Sequence, residues 1–258
     1  MALLTVKDLT KNFGGLCANS NINLEVNENE LVGLIGPNGA GKTTLFNMLT
    51  GVYEPSEGFI TLSTDKGDKE IGKLKPYKVT ALGIARTFQN IRLFKELSVL
   101  ENVKIAMHKD VKYNMVQAIF RTPKYFKEEK RMEKEALELL SILHLDDKKS
   151  ELANNLPYGE QRRLEIARAL ATHPQILFLD EPAAGMNPQE TAELTELIRF
   201  IKDKFNISVV LIEHDMSLVM NLCERIYVLD YGKMIAQGLP EEIAKNKHVI
   251  EAYLGEEV

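Results

Sequence analysis

The segment that most constrains how this chain can fold is Gly36-Pro37-Asn38-Gly39-Ala40-Gly41-Lys42-Thr43, which matches the pattern G-x-x-x-x-G-K-[ST] in full. The almost wholly apolar run Leu31–Ile35 precedes it and predicts a buried strand. Leu45 and Met48 follow at helical spacing, and Gly51 is a typical helix stop. A strand, a glycine-rich turn and a helix in this order predict a phosphate-binding loop.

Each part of this loop has a task in holding a nucleotide. Glycines let the backbone curl until successive N–H groups point at one phosphate, and the positive end of the following helix adds to the field. We expect Lys42 to reach the β- and γ-phosphates and the Thr43 hydroxyl to coordinate Mg²⁺, with the contact surface continuing to Thr44. The predicted ligands are a nucleotide and Mg²⁺.

Composition and charge limit the class of protein. The chain has 258 residues, enough for one large or two small domains with a real core. Its net charge of −5 argues against a broad electrostatic grip on nucleic acid or anionic lipid. Cys17 and Cys223 provide no disulfide framework and are expected to be small buried hydrophobes in a reducing, cytoplasmic compartment. With no leader pattern and no run of ~20 apolar residues, we expect neither secretion nor a membrane span.

Hydrophobic periodicity predicts an α/β protein with a largely parallel sheet, because strand patterns alternate with helical ones. We expect strands, besides the one before the phosphate loop, at residues 6–9, 22–26, 176–179, 208–212 and 226–229.

The middle of the chain, from about Leu97 to Asp147, reads as helical. Ser98 with Glu101 forms a capping box, and Thr122-Pro123 is a typical helix start. The charged run at 127–134 is expected to be the solvated face of the second helix. The architecture predicted is an α/β core interrupted by a helical insertion.

Two carboxylates directly follow the buried strand that is predicted at residues 176–179. Asp180 can hold the Mg²⁺ shell, and Glu181 follows it directly. An ionised Glu beside the γ-phosphate can polarise an attacking water as a general base, which favours hydrolysis over transfer to a bound acceptor. No N-K-x-D segment for reading guanine is present, so we do not expect a GTPase.

Five motifs in this order resemble the ATP-binding subunits of ABC transporters, and the resemblance covers essentially the whole chain. Besides the two motifs above, they are a glutamine loop at Arg86-Thr87-Phe88-Gln89, a signature at Leu156-Pro157-Tyr158-Gly159-Glu160-Gln161, and His214 after a strand. The resemblance implies a P-loop NTPase core of the ABC ATPase type, with a mixed, largely parallel sheet and an inserted helical subdomain. Its cofactors are then ATP and Mg²⁺.

The resemblance also implies a role for each motif. Two subunits close head to tail, so that each ATP lies between the phosphate loop of one and the signature of the other. Glu181, His214 and Gln89 are the predicted catalytic residues, and Thr43, Gln89 and Asp180 the predicted metal ligands. Phe13 is expected to stack on adenine. The predicted nucleotide-binding residues are Phe13, Gly36, Pro37, Asn38, Gly39, Ala40, Gly41, Lys42, Thr43, Thr44, Pro157, Tyr158, Gly159, Glu160 and Gln161.

Two departures from the family pattern fall at the implied dimer interface. Pro157 and Tyr158 replace the Ser and the first Gly of the signature, which removes a hydroxyl and an N–H from the γ-phosphate contact. Asn187 stands where the family usually has Asp. We therefore expect this chain to pair with a different, related ATPase.

The same segments look like the larger ATPase of high-affinity branched-chain amino-acid importers. The implied partners are a second ATPase subunit, integral membrane permease subunits and, indirectly, a substrate-binding protein, with no nucleic acid. The implied location is cytoplasmic, peripheral on the inner face of the cell membrane. Open alternatives are another cargo such as urea or short amides, a weakly hydrolysing nucleotide sensor or assembly subunit, and an ATPase acting on nucleic acid or ribosomes.

The predicted domains follow from the motifs and the helical insertion. Residues 1–95 and 156–238 form the nucleotide-binding core, residues 96–155 the helical subdomain on the signature side, and residues 239–258 a C-terminal helical tail.

Overall fold

The described residues form two units, and the first contains a mixed sheet of mostly parallel strands. The computed structural model describes residues 2–254, without the side chain of Leu254. The first unit comprises the described residues up to Gln89 and from Gln175 onward, and the second comprises residues 90–174.

The strands of this sheet are β3 (Leu31–Ile35), β6 (Ile84–Arg86), β7 (Ile176–Asp180), β8 (Ser208–Ile212), β9 (Arg225–Asp230) and β10 (Lys233–Gly238). Their order is β10-β9-β3-β8-β7-β6, and among the described strands of this sheet only the edge pair β10 and β9 is antiparallel. Every residue of β3, β7 and β8 is buried, which explains their continuous apolar sequences. The predicted mixed, largely parallel sheet is confirmed.

The parallel strands place four chain segments at one edge. The loops after β3, β6, β7 and β8 all leave from the carboxyl ends of neighbouring strands. In open α/β sheets this edge is where ligands bind.

A second, antiparallel sheet belongs to the same unit and was not predicted as a separate sheet. Its strands are β1 (Ala2–Phe13), β2 (Leu16–Asn27), β4 (Glu57–Leu62) and β5 (Lys69–Glu70), in the order β2-β1-β4-β5. Val6 lies opposite Leu24 and Leu9 opposite Ile22, and all four are buried. One face of these strands therefore packs into the core, as their alternation predicts.

The helices of the first unit are α1 (Lys42–Leu49), α2 (Pro76–Ala81), α7 (Pro188–Phe205), α8 (Met216–Leu222), α9 (Pro240–Ile243) and α10 (Lys247–Leu254). Leu45, Phe46 and Met48 of α1 are buried in the core beneath the phosphate loop. The start of α1 is thereby held in place by packing.

The second unit is helical. It contains α3 (Val99–Ala106), α4 (Met115–Ile119), α5 (Pro123–Ile142) and α6 (Tyr158–Leu170), joined partly by short 3₁₀ turns. The capping box is confirmed, since Ser98 Oγ accepts from the Glu101 N–H at 3.2 Å and Glu101 Oε2 from the Ser98 N–H at 2.9 Å. Residues 97–147 contain helices and turns, with Ser98 in an isolated bridge to Leu152.

Two helical details differ from expectation. Thr122 occupies the N-cap position of α5, but its hydroxyl makes no capping hydrogen bond. The charged run at 127–134 is not wholly solvated: Glu128 is buried and Glu129 pairs with Lys104 at 2.9 Å. Glu128 lies four residues before Met132, so it falls on the buried stripe of the helix.

The observed units divide the chain at other positions than the predicted domains. The breaks lie after residues 89 and 174, because the signature helix α6 packs on α3 and α5. The predicted tail, 239–258, contains α9 and α10, and its last four residues lie outside the described part of the chain. The division into core, helical subdomain and tail stays a prediction.

Candidate nucleotide site

The phosphate loop between β3 and α1 depends on glycine at both ends. Gly36 and Gly41 have φ of 151° and 97°, in the region that side chains rarely adopt. A Cβ at Gly36 would lie 2.0 Å from the Leu229 carbonyl oxygen, and one at Gly41 would lie 2.6 Å from that of Ala18. The loop is thus packed tightly against its surroundings by backbone alone.

Lys42 is buried at the start of α1 and points into this loop. Its ammonium donates to the carbonyl oxygens of Gly36 at 2.6 Å and Pro37 at 2.9 Å. Burial lowers the pKa of Lys42, and the carboxylates of Glu181 and Asp180 oppose that shift. The Lys42 ammonium is therefore placed to bind a polyanion. The full negative charges of that ligand would attract it more strongly than the two carbonyl dipoles do.

Glu181 brings the three predicted catalytic residues together. Its Oε2 accepts from Gln89 Nε2 at 2.7 Å, and its Oε1 lies 2.9 Å from His214 Nε2. Its backbone φ is 48°, an unfavourable conformation for a non-glycine residue. The Glu181 N–H donates to the Ile212 carbonyl at 2.9 Å, which fixes this turn to the end of β8. Such strain is typical of residues held for a function.

Asp180 ends β7 in contact with a cation that the sequence analysis assigned no role. Arg86, at the end of the neighbouring strand β6, donates to Asp180 Oδ2 at 2.5 Å and to Asn47 Oδ1 at 2.6 Å. Its guanidinium also lies over the Phe46 and Phe88 rings. The signal available in the sequence was a basic residue directly after the apolar pair Ile84-Ala85.

Glu213 is a second functional candidate that the motifs did not mark. It is buried, and its Oε1 accepts from the Ala183 N–H at 2.7 Å while its Oε2 accepts from the His214 N–H at 3.2 Å. Burial raises the pKa of Glu213, opposed by these two backbone hydrogen bonds. The carboxylate thus ties the segment after Glu181 to the segment that carries His214.

One cleft of about 540 Å³, a size typical of small-molecule sites, is lined by residues 38–44 of the phosphate loop with Gln89, Glu181 and His214, whereas Asp180 and Glu213 are not among its lining residues. Lys42, Thr43 and Thr44 lie at its phosphate-loop end together with Gln89, Glu181 and His214. Its apolar walls include Phe13, Leu16 and Tyr231. Phe13 is partly exposed and meets Tyr53 edge to face at 5.3 Å.

Cys17 also lines this cleft and is exposed, so the prediction of a buried residue is wrong for it. Cys17 lies at the beginning of β2, where it and Leu16 are both exposed and the burial alternation seen further along the strand has not yet begun. Cys223 is buried as predicted.

The signature residues belong to the second unit. Pro157 takes the N-cap position of α6, and Tyr158 is its first residue. Gln161 Nε2 donates to the Leu156 carbonyl at 2.8 Å. Tyr158 is half exposed at the helix start. The predicted contribution of residues 157–161 to a partner's nucleotide stays a prediction.

Asn187 has a structural task that its sequence position alone did not reveal. Its Oδ1 accepts from the Glu190 N–H at 2.9 Å, and Glu190 Oε2 accepts from the Asn187 N–H at 2.9 Å. This capping box starts α7.

The chain matches known proteins over its whole length. The family model described as "ABC transporter" matches residues 19–184, and the one described as "Branched-chain amino acid ATP-binding cassette transporter" matches residues 233–258. The high-affinity branched-chain amino acid transport ATP-binding protein LivG of Salmonella typhimurium is 47% identical over 254 residues, which cover 98% of each chain. The chain belongs to the ABC transporter family, as one of its ATP-binding subunits.

One further relative and one solved structure are similar to this chain over nearly its whole length. The lipopolysaccharide export system ATP-binding protein LptB of Escherichia coli is 35% identical over 257 residues, covering 100% of this chain and 99% of LptB. The crystal structure of the ADP conformation of MJ1267, an ATP-binding cassette of an ABC transporter, superposes with a TM-score of 0.84 at 31% identity, covering 99% of this chain and 100% of that one. The predicted ABC ATPase fold and ATPase class are confirmed.

No helix among the described residues is long and apolar enough to cross a membrane.

Proposed function

We propose that this ABC transporter ATPase energises the import of branched-chain amino acids. The whole-length similarity to LptB means that a shared ATPase form does not decide the cargo. The stronger support is the match of residues 233–258 to a branched-chain amino acid transporter model, together with 47% identity to LivG. Urea or short amides as cargo, and a weakly hydrolysing sensor or assembly role, are the competing functions.

The proposed chemistry is centred on Glu181, and the observation that carries it is the contact of Gln89 and His214 with the two oxygens of this one carboxylate. In the proposed reaction, water attacks the γ-phosphorus of ATP, Glu181 accepts the water's proton, and ADP leaves. Gln89 positions the carboxylate and the water. His214 lies on the other side, where it can contact the γ-phosphate.

The remaining residues of the cleft hold the nucleotide in this proposal. Residues 36–44, of which 38–44 line the cleft, surround the phosphates with backbone N–H groups and the Lys42 ammonium. Phe13 stacks on the adenine at the apolar end of the cleft. Glu213 keeps the His214 segment in register with Ala183 through its two backbone hydrogen bonds.

Mg²⁺ fits the donor chemistry of this site. Thr43 offers a hydroxyl, Asp180 a carboxylate and Gln89 an amide, and Mg²⁺ binds such oxygens with one or two carboxylates plus substrate phosphates. The ion would neutralise charge on the β- and γ-phosphates. Arg86 holds one Asp180 oxygen at 2.5 Å and so fixes how the carboxylate points.

The proposed partners are a second, related ATPase and integral membrane permease subunits, with a substrate-binding protein acting through them. Pro157 and Tyr158 weaken the signature that this chain offers to its partner's nucleotide. In a mixed pair, the competent site combines Glu181 of this chain with an intact signature of the other ATPase. The proposed location is peripheral, on the inner face of the cell membrane.

Replacement of the general base tests the proposed chemistry. We expect Glu181→Gln to keep ATP binding, because the phosphate loop is untouched, and to slow hydrolysis at least ~10²-fold. Phosphate release by the purified chain with its partner ATPase measures the rate, and a fluorescent ATP analogue measures binding. Glu133→Gln, an exposed carboxylate on α5, is the matched control and should leave the rate unchanged. Undiminished turnover in Glu181→Gln contradicts the assignment, and negligible turnover in the wild type favours a sensor.

A further inference from the structure

The short helix α4 has its apolar residues on the outside. Met115, Val116, Ile119 and Phe120 are 77%, 59%, 68% and 75% exposed. At about 100° per residue they lie within an arc of about 140° on one side of the helix. The residues between them, Gln117 and Ala118, are the less exposed ones. This is the reverse of the pattern of a helix that packs its apolar face on a core.

The inverted helix is held in place by defined contacts. Asn114 Oδ1 accepts from the Gln117 N–H at 2.9 Å, and Gln117 Oε1 accepts from the Asn114 N–H at 3.2 Å. Tyr113 packs on Tyr125 with ring centroids 5.1 Å apart, and the Tyr113 hydroxyl donates to Glu129 at 3.1 Å. The apolar face is therefore presented to solvent by a capped and anchored structure.

The charged side chains within the segment that carries this face are of one sign. Residues 111–127 contain four basic residues and no acidic residue, in a chain whose net charge is −5. All four basic side chains are exposed, and they are Lys112, Arg121, Lys124 and Lys127. Phe126, on the first turn of α5, adds another exposed aromatic ring among them. We call residues 111–127 the basic apolar segment.

We infer that the basic apolar segment binds the surface of an anionic phospholipid bilayer. Exposed aromatic and aliphatic side chains enter the boundary between headgroups and acyl chains, while Lys and Arg beside them stay at the headgroups and attract anionic lipid. The core of a protein docking face is instead poor in charged residues, whereas here lysines and an arginine interleave with the apolar ones. The five-residue helix supplies a weak, reversible contact that orients the second unit at the membrane.

This contact adds to the proposed attachment through permease subunits and does not depend on the cargo or on the chemistry at Glu181. Vesicles without any permease test it, so its failure leaves the proposed function standing.

The experiment is co-sedimentation of the full chain with lipid vesicles. We expect the wild type to bind vesicles of phosphatidylglycerol and phosphatidylcholine in about equal amounts, to bind pure phosphatidylcholine much more weakly, and to lose binding as salt is raised. The double variants Ile119→Ser/Phe120→Ser and Lys124→Glu/Lys127→Glu should each bind at least about tenfold more weakly. All four positions are exposed, so unchanged ATP binding by the first unit is expected in both.

Matched control variants show whether vesicle binding depends on the basic apolar segment or on exposed apolar and basic residues in general. Phe59→Ser removes an exposed apolar ring from β4, and Lys73→Glu/Lys78→Glu reverses two exposed charges near α2. Both should bind anionic vesicles as the wild type does. A wild type that stays in the supernatant, variants that bind as well as the wild type, or controls that lose binding equally would each overturn the proposal. Loss of self-association or permease binding in the segment variants, without any vesicle binding, assigns the face to a protein and also overturns it.

Discussion

The two cysteines, Cys17 and Cys223, lie in different surroundings, and these surroundings determine how reactive each thiol is. Cys223 is packed so closely on β3 that a Cβ at Gly33 would lie 2.9 Å from its Sγ. Burial raises the pKa of the Cys223 thiol to about 12. Cys17 instead is exposed in the wall of the nucleotide cleft, near Phe13. Because the thiolate is the reactive form, these two residues should differ greatly in reactivity.

Thiol labelling measures that difference. We expect a maleimide reagent at neutral pH to modify Cys17 and leave Cys223 unmodified in the folded chain, with mass spectrometry of peptides as the readout. ATP should slow labelling of Cys17, because the nucleotide occupies the cleft that this residue lines. Cys17→Ser is the control and should remain unlabelled. Labelling of Cys17 at the same rate with and without saturating ATP would place the nucleotide elsewhere.

At the scale of single elements, the start of α7 gives Asn187 a local explanation. Its side chain caps an 18-residue helix by accepting from the Glu190 N–H, and the Glu190 side chain accepts in turn from the Asn187 N–H. Both Asn and Asp are good capping residues, so the exchange of one for the other leaves the helix start intact.

Substitutions at this cap separate its local role from a role at the dimer interface. We expect Asn187→Ala to lower the free energy of unfolding by about 1 kcal/mol, because a capping side chain is lost. Asn187→Asp should stay within about 0.5 kcal/mol of the wild type. Chemical denaturation measures both. Equal stability of the Ala variant and the wild type would show that the capping box contributes nothing.

The elements that sequence predicted well are those whose signal is local. The loop at 36–43, the strands β3, β7 and β8, and the helix α5 each carry a complete pattern of their own. The short edge strand β6 and the antiparallel partner β4 were missed, because their strands are stabilised by neighbours distant in sequence. The signature helix α6 was predicted within the core segment 156–238, whereas it packs on α3 and α5, a tertiary contact that has no local sequence signal.

The sequence likewise predicted only part of the candidate site. Glu181, Gln89 and His214 could be predicted because each lies in a recognisable motif after a predicted strand or in the glutamine loop. Glu213 directly follows β8, but a lone charged residue there carries no spacing signal, and Arg86 was marked only as part of the glutamine loop, without a role of its own. Their roles appear only when the register brings β6 beside β7 and the β8 end beside Ala183.

At the scale of the whole molecule, this chain brings its nucleotide cleft and its altered signature to the proposed mixed pair. Residues 38–44, Gln89, Glu181 and His214 line the cleft, whereas the signature contains Pro157-Tyr158. We expect the chain alone to hydrolyse ATP slowly and to reach its full rate only with a related ATPase that carries an intact signature. Phosphate release measured over a titration of that partner tests this. Equal ATPase activity and equal transport by the chain without the partner would contradict the mixed pair.

The most direct test of the whole account is uptake of radiolabelled leucine into membrane vesicles that carry the reconstituted transporter, with ATP on the side of this chain. We expect ATP-dependent uptake that isoleucine and valine inhibit and urea does not. We also expect at least ~10²-fold slower uptake when Glu181→Gln replaces the wild-type chain, because the proposed composite site then lacks its base. Unchanged uptake with Glu181→Gln, or uptake that urea but not isoleucine inhibits, would contradict it.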